Sequence, residues 1–222
     1  MDILFLLLMI SLPLLAQLYV SATFSKYSDV KSASGLTAEQ VARMILDQNG
    51  LQHIMVEKIP GKLTDHYSPK EDIVRLSESV YGKTSISAIG VAAHECGHAC
   101  QHAEDYGPII VRTSIVPFVS ICSRLWYIVF VIGILIIDVF PYLTYIGIAM
   151  FGMVVLFQAV TLPTEIDASD RALKILETEG ILNISEIPQA KKVLFAAAMT
   201  YVTALATSLM QLIRLLLRVK HD

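Results

Sequence analysis

The run His94-Glu95-Cys96-Gly97-His98 sets two imidazoles four residues apart, with a carboxylate directly after the first. On a helix, residues four apart share a face, so both rings can reach one metal ion while Glu95 stands beside it. Imidazole nitrogen is a good zinc donor, and a catalytic zinc site uses three protein ligands and leaves one position open. The chemistry this predicts is hydrolysis of peptide bonds. Zinc makes water acidic near neutral pH and polarises the carbonyl, while Glu95 takes the water's proton and passes it to the leaving amine. In a chain of this length and ordinary composition the pattern arises by chance about once in a hundred sequences.

A third ligand must come from elsewhere, and Glu165 is the candidate. It falls in the first turn of a helix predicted to begin at Pro163, run through Leu176 and stop at Gly180. The residues alone leave two readings: a metal ligand, or an acidic side chain favoured at a helix N-terminus by the macrodipole. His102, one turn past His98, is carried away from a shared metal along a straight helix and reads as a surface or packing histidine. Cys96, Cys100 and Cys122 read as buried small hydrophobes rather than a disulfide framework.

The elements that must position these groups lie in a chain that is 55% hydrophobic and 17% charged, with the apolar excess gathered into long runs. Soluble proteins average about 45–50% and 25%. Residues 3–20 form a run of roughly 27 Å at the helical rise, close to the hydrocarbon thickness. A retained anchor is favoured over a signal peptide, because the only charge before the run is Asp2 and a signal peptide begins with basic residues. Residues 115–137 and 139–161, divided by Asp138, predict a transmembrane hairpin, with Arg124 leaving one boundary open. Residues 193–217 predict a fourth span carrying Ala196, Thr200, Ala204 and Ser208 at the spacing that helix packing in lipid prefers.

Between the first two spans, residues 21–114 form a water-facing segment. Thr37 to Gln40 match a capping box for a helix stopped by Asn49-Gly50. His53 to Ile59 and Asp72 to Leu76 read as short strands, and Thr84-Ser85 caps the motif helix from about Ile86 to His102. The strand stretch Ile73, Val74, Arg75 and Leu76 is expected to offer an edge for pairing with an extended substrate. Because the second and third spans form a hairpin, the chain leaves the membrane after Thr161 on the side of His94, which returns Glu165 to the metal. The fold class is thus a mainly α membrane protein of about four transmembrane helices with a zincin-like α+β water-facing part, organised as one domain over residues 1–222. Residues 162–192 supply the segment with the third ligand.

Beyond these derivations, the sequence resembles the YugP-type neutral zinc metallopeptidases, small bacterial membrane proteins. The likeness runs through Asp65-His66-Tyr67-Ser68-Pro69, Val74-Arg75-Leu76-Ser77, Val91 to His98, and Leu162-Pro163-Thr164-Glu165-Ile166-Asp167-Ala168-Ser169. The last stretch is also similar to the glutamate-ligand motif of HtpX and CAAX-processing membrane proteases, and this implies that Glu165 completes the site. HtpX carries an Asp four residues after that Glu, where this chain has Ser169. The carboxylate that would orient an imidazole therefore does not carry over. Asp167 and Asp170 are each open to two readings: orienting a ligand histidine, or a solvated partner of Arg171 and Lys174.

The implied cofactor is one Zn²⁺ per chain, and the implied partners are a polypeptide substrate, a membrane protein by the likeness to HtpX, and the lipid bilayer. Net charge of −3 and the lack of a basic, aromatic-interleaved stretch exclude a nucleic-acid partner. Lys26, Lys31, Arg112, Arg171, Lys174, Lys191 and Lys192 flank the active-site side, against Arg214, Arg218 and Lys220 opposite. The positive-inside rule then puts the metal on the cytoplasmic face of a bacterial cell membrane. Two other classes stay open. An intramembrane, site-2-like protease would bury its motif within a span, although the distant Asp-Gly motif is missing. A non-catalytic zinc-binding membrane adaptor would fill the metal with four protein ligands.

Overall fold

The computed structural model describes residues 2–221. Among these described residues six helices and three strands follow in the order α1 (Asp2–Ser28), α2 (Ala38–Gln48), β1 (Met55–Ile59), β2 (His66–Ser68), β3 (Ile73–Ser77), α3 (Ile86–Ala103), α4 (Gly107–Leu135), α5 (Tyr142–Thr178) and α6 (Ile187–His221). Within them Ile3–Ser28, Gly107–Leu135, Tyr142–Thr178 and Ile187–Val219 are long and apolar enough to cross a membrane. The protein is a mainly α membrane protein with one small mixed sheet.

The chain divides into two compact units. The first comprises the residues up to Leu14, Gly107–Pro163 and those from Tyr201 onward. Its α4 and α5 approach closely at small residues: a Cβ on Gly147 would lie 2.7 Å from the Phe130 amide nitrogen, and one on Gly133 would collide with the Thr144 backbone. Phe130, Ile148, Phe151, Val155 and Leu215 form its buried cluster, with the Trp126 ring tilted against Phe151 at 4.5 Å between centroids.

The second unit, Leu15–Tyr106 with Thr164–Thr200, holds the sheet and the motif helix. α2 begins where Gln40 Oε1 accepts from the Thr37 amide at 2.9 Å, and it ends before Gly50, whose φ of 76° suits glycine. α3 begins at Ser85, whose hydroxyl accepts from the Ala88 amide at 3.4 Å. Such a cap contributes about 1 kcal/mol. Val41, Ile45, Val74, Leu76, Ile86, Ile89, Ala92 and Leu176 pack into one core, so α3 is buried on nearly every side. Cys96, Cys100 and Cys122 are buried free thiols.

Three features depart from the sequence reading. The span expected over residues 139–161 and the helix expected to start at Pro163 are one helix, α5, with Pro163 in its interior. An internal proline removes its own hydrogen bond, here to the Ala159 carbonyl, and crowds that carbonyl with its ring, a cost that a long helix can absorb. The strand Ile73–Ser77 is not an edge. It is the centre of the order β1-β3-β2, parallel to β1 and antiparallel to β2, so the main-chain groups of Ile73, Val74 and Arg75 are taken on both sides and Leu76 pairs with Lys58. The outer strand beside the motif helix is β2, three residues long, and its Tyr67 amide is taken by Glu95. Finally, the outer helices extend beyond the expected bounds, α1 to Ser28 and α6 back to Ile187, and Gly107-Pro108 opens α4.

Candidate metal centre

His94 and His98 project from the same face of α3, their rings edge to face at 4.7 Å between centroids. Glu165 on α5 reaches both, with Oε2 at 3.3 Å from His94 Nε2 and 3.5 Å from His98 Nε2. The three donor atoms lie within 4.8 Å of one another and could hold a metal ion. A tetrahedral ion with bonds of about 2.0–2.1 Å separates its ligand atoms by about 3.3–3.4 Å, so the two Glu165 distances fit zinc, as does the N, N, O donor set.

The approach of α5 to α3 depends on Gly97. A Cβ there would meet the Ala168 carbonyl oxygen at 2.6 Å, so any side chain would hold the glutamate helix away from the histidines. This gives the second variable position of the motif a steric role that its spacing alone did not reveal.

Each histidine has an outer partner. His94 Nδ1 meets the Ser169 hydroxyl at 3.1 Å, so the position where HtpX has Asp still contacts this ring, through a neutral group. His98 Nδ1 meets Gln101 Oε1 at 3.0 Å, and Gln101 Nε2 donates to the Thr164 carbonyl at 2.8 Å and to Asp167 at 2.7 Å. Asp167 also accepts from Arg171 Nε at 2.6 Å, and Arg171 Nη1 reaches Glu104 at 2.6 Å. Asp170 is exposed and touches neither histidine. Gln101 was not anticipated from the sequence. Its signal was a polar side chain one turn past His98 on a helix with little exposed surface. His102 is half-buried and packs against the Tyr67 ring at 5.6 Å, as a packing histidine does.

Glu95 is buried, and its Oε2 accepts from the Tyr67 amide of β2 at 3.0 Å. Burial pushes its carboxyl above the ordinary range, partly offset by the positive potential of His94 and His98. A base raised in this way takes a proton more readily. For His98, burial works against the charged form, but hydrogen bonding to Glu165 and its negative charge outweigh this and raise its affinity for a proton. β2 is held in place by Asp65, whose Oδ1 and Oδ2 accept from the Ser77 amide at 2.7 Å and the Ser77 hydroxyl at 2.9 Å.

Four helices of membrane-spanning length, a small sheet, and two histidines of an HExxH helix met by a glutamate from a second helix are the attributes of a membrane-bound zinc metallopeptidase. The profile of the family described as "Putative neutral zinc metallopeptidase" matches residues 2–220, and the chain belongs to that family. It is also 47% identical over 199 residues to the "Putative membrane protease YugP" of Bacillus subtilis (strain 168), covering 90% of this chain and 88% of that protein. No solved structure matches the chain.

Proposed function

We propose that this chain is an endopeptidase in which His94, His98 and Glu165 hold one zinc ion and Glu95 is the general base. The observation that carries this reading is the meeting of three donor atoms from two helices within 4.8 Å, with the Glu165 oxygen at tetrahedral separations from both imidazole nitrogens and Glu95 alongside. Zinc supplies Lewis acidity toward a peptide carbonyl and toward water. The chain's own residues do the rest. Glu95 accepts the proton of the attacking water on a carboxylate that burial has made more basic, and delivers it to the leaving amine nitrogen. The Tyr67 amide fixes the direction of that carboxylate. Gln101 and Ser169 each contact the Nδ1 of one imidazole from behind the site.

Among the described residues the cluster has three members, which suits a catalytic zinc with an open position better than a four-ligand structural site. α3 is not among the four helices long and apolar enough to span, which favours this reading over an intramembrane protease. Membrane or membrane-associated proteins are the proposed substrates, and the distribution of lysine and arginine supports a cytoplasmic active site in a cell membrane. The whole chain acts as a single metallopeptidase domain in this proposal.

The deciding experiment pairs zinc content with hydrolysis. Purified wild type is expected to hold about one zinc per chain and to cleave unfolded protein substrates. Glu95→Gln is expected to keep the zinc and lose about 10²–10⁴ of the rate. A zinc-free wild type, or a Glu95→Gln chain that cleaves normally, would refute the assignment. Comparing membrane proteomes of cells carrying the two forms identifies substrates, and labelling of a cysteine introduced between residues 21 and 106 reports the side.

A further inference from the structure

Gln101 is fully buried one turn past His98. Its amide faces His98 Nδ1, the Thr164 carbonyl and the Asp167 carboxylate, at 3.0, 2.8 and 2.7 Å. A carbonyl can only accept, and so can a carboxylate paired with the Arg171 guanidinium. The amide nitrogen must therefore face Thr164 and Asp167, where both of its hydrogens are used. That leaves the amide oxygen for His98, so His98 Nδ1 must be the donor. A neutral imidazole with its proton on Nδ1 presents a lone pair at Nε2, the atom that lies 3.5 Å from Glu165. The Ser169 hydroxyl beside His94 can donate or accept, so that contact does not select a tautomer.

We propose that Gln101 is a positioning residue of the metal centre: it locks His98 in the Nδ1–H tautomer and sets its ring plane, so that Nε2 is presented as a metal donor. The Thr164 carbonyl and Asp167, the latter held by Arg171, together fix the direction of the Gln101 amide. The inference rests on the zinc reading above and adds an orienting residue to it. The competing role for Gln101 is to tie α3 to α5 through Thr164 and Asp167, satisfying buried polar groups with no effect on the metal.

The two roles order a pair of variants differently. Gln101→Met removes donor and acceptor together. Gln101→Glu keeps an acceptor for His98 Nδ1 but sets an acceptor-only group against Asp167 and the Thr164 carbonyl. A tie between helices is damaged at least as much by Glu as by Met, whereas an orienting contact to His98 survives in Glu alone. The experiment uses the full chain in detergent micelles. Zinc affinity is measured by competition with a chromophoric chelator, and the unfolding midpoint of the chelated chain is measured separately. Gln101→Met is expected to weaken zinc binding about 10–100-fold, the usual range for outer-shell partners of ligand histidines. Gln101→Glu is expected to bind zinc more tightly than Gln101→Met even though its metal-free midpoint is lower.

If Gln101→Met binds zinc within about threefold of wild type, well short of that range, or if Gln101→Glu binds no better than Gln101→Met, the proposal is overturned. Should Gln101→Met fail to fold, the ring-nitrogen shifts of histidine-labelled, zinc-loaded wild type report the tautomer instead, and a His98 whose Nδ1 carries no proton overturns the proposal equally. A wild type that binds no zinc refutes the metal reading and this inference together. A zinc-binding, active wild type whose affinity these variants leave unchanged refutes this inference alone.

Discussion

Helices approach each other through glycine in both units of the chain, but with different surroundings. In the unit that holds the motif helix, Gly97 admits the backbone of α5 at Ala168, and the neighbouring polar side chains Gln101, Asp167, Ser169 and Arg171 all have hydrogen-bond partners. In the spanning unit, Gly133 and Gly147 admit α5 and α4 to one another beside an apolar cluster, and the buried Thr144 Oγ1 and Gln158 Oε1 have no partner. One close approach lets α5 carry Glu165 to 3.3 and 3.5 Å from the two imidazole nitrogens. The other brings apolar surfaces together, where a small shift costs packing and little else. Closeness of backbone therefore does not by itself mark a functional crossing; directional groups around it do.

Substitutions at the glycines break the comparison most directly. Gly97→Ala is expected to have the largest effect, a loss of at least about 100-fold in hydrolysis together with weakened zinc binding, because an ångström of displacement at a reacting centre costs that much rate. Zinc titration of the purified variant checks this, and stoichiometric, tight zinc in Gly97→Ala would remove the distinction between the crossings. Gly147→Ala is next: overpacking should lower stability by about 1–3 kcal/mol, read from denaturant midpoints in micelles, while zinc affinity stays near that of wild type. Ser169→Ala should produce the smallest change, a decrease in zinc affinity of about tenfold at most, since a neutral hydroxyl that can face either way orients His94 weakly. Ser169→Asp sharpens the point. An acceptor-only group there should select the Nδ1–H tautomer of His94 and raise zinc affinity above that of Ser169→Ala.

What the sequence made legible were the parts whose information is local. The spacing of His94 and His98 on one helical face, the Ser85 cap and the four apolar runs each depend on residues close in the chain, and each is present in the structure. Glu165 was a candidate on two grounds, a hairpin of spans that would return the chain to the side of His94 and the likeness of residues 162–169 to a glutamate-ligand motif. The features that escaped notice depend on distant partners or on very short elements. Gln101 acquires its meaning from Thr164 and Asp167, more than sixty residues away. β2 has three residues, too few to display an alternating pattern, and without it β3 resembled an edge. Pro163 read as a helix start because sequence rules treat an internal proline as a break, whereas packing along a 37-residue helix outweighs one missing hydrogen bond.

The Tyr67 amide bonded to Glu95 has a consequence for solubility and control. An unpaired strand edge invites other strands, and proteins suppress such edges with charge or by occupying their donors. Here the outward donor at the centre of β2 is occupied by the proposed base itself. The carboxylate that would cleave a polypeptide also guards the edge on which one could settle, so a stray strand gains no hydrogen bond at that amide unless it displaces the carboxylate. Edge protection and readiness for catalysis are thereby vested in the same side chain, and a variant at Glu95 should be judged for self-association as well as for lost cleavage.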